Sequence, residues 1–199
     1  PPLLTSPMNP QIAWRVPTAT GSVLHDGLAY HVALDGSVQA RKIGDGSLAW
    51  RSAPPESPPG LRVTANPWSS QTPLIRHGTL AVRHWLRDPD SDVYADRRLG
   101  FVLETWDLST RTRLWRQFQV RRHPAAAYEP WRDVCLSARA GVVVSNWDQL
   151  LCLDWTTGAE RWRHPLGNPQ SNDPWISAAL YADTLCLADR SELLYLSTA

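Results

Sequence analysis

Residues 152–162 read Cys152-Leu153-Asp154-Trp155-Thr156-Thr157-Gly158-Ala159-Glu160-Arg161-Trp162, and the same eleven-residue frame recurs twice upstream. One earlier copy runs from Thr105 through Asp107, Thr110 and Arg111 to Trp115; the other runs from Ala40 through Lys42, Asp45 and Gly46 to Trp50. The frame reads as a hairpin. An apolar run leads into Asp-x-x-Thr-Gly, whose carboxylate and hydroxyl can take nearby backbone N–H groups, and whose glycine supplies the positive φ of a tight turn. A second strand then ends in Trp. Each of these tryptophans is followed by arginine, as Trp14 is by Arg15, so four Trp-Arg pairs stand in register. A period of this length marks a repeat architecture.

Two further short apolar runs precede each frame. They cover 21–24 and 28–34, 73–75 and 79–85, and 134–136 and 141–145, divided by turn sequences such as His25-Asp26-Gly27 and Arg76-His77-Gly78. Each unit is therefore expected to be four short antiparallel strands. A fourth unit begins at Ile176, turns at Ala182-Asp183, enters a third strand at Leu193–Leu196 and stops at Ala199 without a fourth strand or a Trp. The absent piece is found at the other end, where residues 11–16, with Trp14, read as a fourth strand lacking companions. Joining the two ends uses every edge and turns a row of sheets into a ring. The expectation is one all-β domain over residues 1–199, a β-propeller of four-stranded antiparallel blades. The blades lie at about 18–53, 70–119, 132–165 and 175–199, the last completed by residues 11–16. Two chains forming eight blades satisfy the same pattern, and so does a chain that is part of a longer propeller.

The frame, with the Gly-x-hydrophobic strand pair before it, resembles the PQQ-like repeat of quinoprotein alcohol dehydrogenase-like β-propellers, over residues 11–199 as a pattern. The resemblance implies that Trp14, Trp50, Trp115 and Trp162 dock between blades, and that Gly46, Asp107, Asp154 and Gly158 shape the turns. Four blades depart from the seven or eight usual in that family. The family's dehydrogenases hold pyrroloquinoline quinone against a Trp floor and a disulfide of adjacent cysteines, beside an ion in acidic and amide side chains. Here Cys135, Cys152 and Cys186 are far apart. No cofactor, metal or catalytic residue is therefore expected, although a cofactor-dependent oxidoreductase or lyase at the central opening is the second reading.

Composition bounds the rest. With 43% hydrophobic residues, 20% charged residues and a net charge of +1 over 199 residues, the chain is neither a disordered tail nor a basic nucleic-acid binder. No apolar run reaches the ~18 residues of a membrane span. The start, Pro1-Pro2-Leu3-Leu4, lacks an initiator Met and a basic n-region, which reads as a processed, trimmed or excised chain. The compartment is left between bacterial cytoplasm and periplasm, with three widely spaced cysteines leaning against an oxidising space. Asp88-Pro89-Asp90-Ser91-Asp92 lacks the Gly and Glu of a calcium loop and reads as part of a solvated insertion. The six histidines have no metal spacing. A polar-Pro-Trp motif precedes three blades: Asn66-Pro67-Trp68, Glu129-Pro130-Trp131-Arg132 and Asp173-Pro174-Trp175. The loops that carry it should run inward across one face, so Trp68, Trp131 and Trp175, with Asn66, Glu129, Arg132 and Asp173, are the candidate binding residues. Aromatic anchors in a polar rim suit a protein, a peptide or a small ligand such as a glycan.

Overall fold

A computed structural model describes residues 14–16, 18, 21–64, 72–87, 97–123, 135–146, 149–165, 177–181, 184–188 and 193–197. These form antiparallel sheets throughout. The first sheet is β1 (Val23–His25), β2 (Leu28–Val32), β3 (Val38–Lys42) and β4 (Leu48–Arg51), in chain order. The second joins β6 (Leu74–Arg76), β7 (Thr79–Arg87), β8 (Arg97–Asp107) and β9 (Thr112–His123), with β5 (Arg62–Thr64) also on β7. The third is β10 (Cys135–Ser137), β11 (Val142–Asn146), β12 (Gln149–Leu153) and β13 (Glu160–Pro165). The fourth holds β14 (Ser177–Tyr181), β15 (Thr184–Ala188) and β16 (Leu193–Ser197). Among the described residues no helix is long and apolar enough to cross a membrane.

The repeat is visible in backbone detail. A β-bulge interrupts the hairpin between Ala40 and Arg41, between Thr105 and Trp106, and between Cys152 and Leu153. The turns that follow place Gly46, Arg111 and Gly158 at φ of 71°, 60° and 70°. Lys42 N donates to Ser47 O at 3.0 Å and Gly46 N to Lys42 O at 2.9 Å; Asp154 N donates to Ala159 O at 2.8 Å and Gly158 N to Asp154 O at 3.0 Å. Where the frame has its aspartate, Asp107 Oδ1 accepts from Ser109 N and Thr110 N, and Asp154 Oδ1 from Thr156 N and Thr157 N. The first-to-second-strand turns are also alike. Asp26 and Gly27, and again His77 and Gly78, take consecutive positive φ values, the mirror-image turn that matches strand twist.

Strand alternation sends one apolar row to each side of a sheet, and each row is buried against the next sheet. Tyr30, Val32, Val38 and Ala40 meet Leu80, Val82 and Trp106 between the first and second sheets. Ala81, Phe101 and Leu103 meet Val142, Val144, Leu151 and Leu153 between the second and third. Val143, Leu150 and Cys152 meet Leu185, Leu180 and Leu196 between the third and fourth. The order of the chain is thus the order of stacking.

Two features differ from the sequence reading. Among the described residues Trp14, Arg15 and Val16 belong to no strand, the fourth sheet has three strands, and the sheets do not close into a ring. The second sheet is also larger than its sisters. β7, β8 and β9 have 9, 11 and 12 residues, whereas β4 has 4 and β13 has 6. β5 extends the inner edge by pairing Thr64 with Trp85 beyond the point where β6 pairs Leu74 with Ala81. Leu61, Leu86 and Val102 bury the extension.

Candidate functional site

The described residues hold two concentrations of polar and aromatic chemistry. The first is a repeated tryptophan seat. Trp115 Nε1 donates to Trp155 O at 3.0 Å, and its ring lies where a Cβ on Gly158 would stand, 2.7 Å from the Cδ2 atom. Trp14 Nε1 donates to Ile43 O at 2.9 Å, and its ring lies 2.7 Å from where a Cβ on Gly46 would stand. In both seats the accepting carbonyl is three residues before the glycine. Trp50 leans edge-on against Trp106, ring centroids 5.4 Å apart, and packs with Leu108 of the second sheet's turn. Trp162 packs between the third and fourth sheets, but among the described residues its buried Nε1 has no hydrogen-bond partner.

The second concentration lies inside the second sheet. Glu104 is fully buried, with His84 Nε2 3.1 Å from one carboxylate oxygen and Arg116 Nε donating to the other at 3.1 Å. Burial alone would push the Glu104 carboxyl up; the His84 hydrogen bond and charge, with Arg116, outweigh it and hold the group below its ordinary value. On the other side of the same strands Arg83 lies over Phe101 at 4.0 Å and Trp85 at 4.9 Å and donates to Ser145 O of the third sheet at 3.2 Å. Glu104, His84, Arg83, Phe101 and Trp85 are between 0% and 9% exposed, and the Arg116 side chain 11%. A general acid or base must reach the proton it moves. Glu104 and His84 reach each other instead, which makes the cluster an internal latch that ties neighbouring strands.

Other titratable groups are likewise committed to structure. Burial, with Arg41 nearby, pushes the His31 imidazole down and keeps it neutral. Burial works against charge at Asp154 as well, yet Arg161 and the turn N–H groups hold that carboxyl far below its ordinary range. Burial pushes the Cys152 thiol up to about 11, leaving it protonated and inert. Cys135 and Cys186 are half-buried on different sheets, so the adjacent-cysteine seat of a quinone does not fit this chain. Among the described residues no group of three or more His, Cys, Asp and Glu side chains is arranged to hold a metal ion.

Of the residues singled out from sequence, Trp14, Trp50, Trp115, Trp162, Gly46, Asp107, Asp154 and Gly158 fall in the seats and turns above. Asn66, Trp68, Glu129, Trp131, Arg132, Asp173 and Trp175, with the 88–96 segment, lie outside the described residues. The Arg83, His84, Glu104 and Arg116 set escaped the sequence reading. The available signal was Arg83-His84 inside the apolar run 79–86, where alternation alone cannot show that both faces are covered.

No protein-family model matches the chain, and no curated protein does. Solved structures do. The computationally designed Ika4 protein superposes with a TM-score of 0.53 at 12% identity, covering 90% of this chain and 91% of that one. The quinohemoprotein alcohol dehydrogenase of Comamonas testosteroni gives 0.55 at 17% identity, covering 89% of this chain and 33% of its own. That of Pseudomonas putida HK5 gives 0.55 at 14%, with the same coverages. The chain thus spans about a third of the dehydrogenases it resembles, and at such identities the likeness is one of fold: antiparallel, all-β and propeller-like.

Proposed function

We propose that this chain is a non-enzymatic β-propeller scaffold or sensor module that recognises a protein, peptide or small ligand through loops around its central opening. The observation that carries the reading is the repeated tryptophan seat, Trp14 on the first sheet and Trp115 on the third, each bonded to the carbonyl three residues before a glycine. Trp115 belongs to the fourth strand of the preceding sheet, so by analogy Trp14 belongs to the fourth strand of a sheet preceding the first. Among the described residues the fourth sheet holds three strands, without that fourth one. Residues 11–16 on β16 would complete it and close the ring of blades. A closed frame of this kind keeps its loops in fixed relation, which favours recognition. The inward sealing of Glu104, His84 and Arg83 supports a structural rather than a reactive use of the charged interior.

In this reading Trp68, Trp131 and Trp175 are the anchors, and Asn66, Glu129, Arg132 and Asp173 the polar rim. The test replaces Trp131 by Ala and compares partner capture with thermal stability. Loss of a defined partner at unchanged Tm supports recognition; loss of fold and partner together assigns the motif to packing. A second reading, two chains in one eight-bladed ring, is favoured by the uncovered face of the fourth sheet, where Tyr181 is 86% and Tyr195 65% exposed. Light scattering separates the two, since one chain weighs 22.3 kDa.

A further inference from the structure

We draw no further inference here: the strongest candidate, the polar cluster of His31, Gln39 and Arg41 on the face of the first sheet turned away from the second, carries nothing, because among the described residues nothing shows what covers that face.

Discussion

Gly158 and Arg111 occupy the same place in two hairpins, at φ of 70° and 60°, and Gly158 has the Trp115 ring against it. A side chain at positive φ is strained, and at Gly158 it would also collide with the Trp115 ring. Gly158→Ala should therefore destabilise by about 1–3 kcal/mol, while Arg111→Gly, relieving the same strain on an open surface, should gain about 1 kcal/mol; urea unfolding of both variants checks the opposed signs. Glu104 makes a second prediction at this scale. Glu104→Gln leaves the mostly buried Arg116 guanidinium without its counter-charge and should cost about 3 kcal/mol. The carboxyl lies below its ordinary value in the folded protein, so its contribution is fully present above the unfolded value of ~4.3 and drains away as pH falls through the folded value. Acid titration of stability should show a shallower limb in the variant than in the parent; identical limbs would remove Glu104 from the account.

At the scale of the element, the hairpins are legible in sequence because their determinants are local. Asp154, Thr157 and Gly158 act within one turn, and Gly27 and Gly78 do the same in the shorter turns. β5 and the overlong β7–β9 are not legible this way. Leu61-Arg62-Val63-Thr64 follows a proline-rich stretch and is too short to show a period, and its strand state depends on β7, more than 20 residues away. Glu104 inside Val102-Leu103-Glu104-Thr105 similarly reads as a solvent-facing residue until Arg116 and His84 converge on it from neighbouring strands. The seats yield their own prediction. Thr184 pairs with Ser197 as Thr79 pairs with Asp107, so the carbonyl equivalent to that of Trp155 belongs to residue 198, outside the described residues. Trp162 Nε1 is unpartnered, whereas Trp115 Nε1 is bonded. Trp115→Phe should therefore cost about 1 kcal/mol more than Trp162→Phe, by thermal or chemical melts of both variants; equal losses would mean that the two seats do not differ.

At the scale of the molecule, three apolar interfaces stack four sheets in chain order and leave a face of the last sheet, with Tyr181 and Tyr195, exposed. A three-stranded terminal sheet whose sisters each have a fourth strand, and a tryptophan seated on the first sheet from outside it, are complementary ends. Their union would close the ring of blades. The most direct measurement is a disulfide trap. Trp162 stands opposite Cys152, and the position of Cys152 in the frame is that of Tyr195, so the proposed closure would set Trp14 opposite Tyr195 and Arg15 opposite Leu194. In a chain whose own cysteines are replaced, Arg15→Cys with Leu194→Cys should cross-link rapidly under mild oxidation, within one chain for a four-bladed ring or between two for eight blades. Failure to form either bond in a protein that remains folded would contradict the closure of the ring.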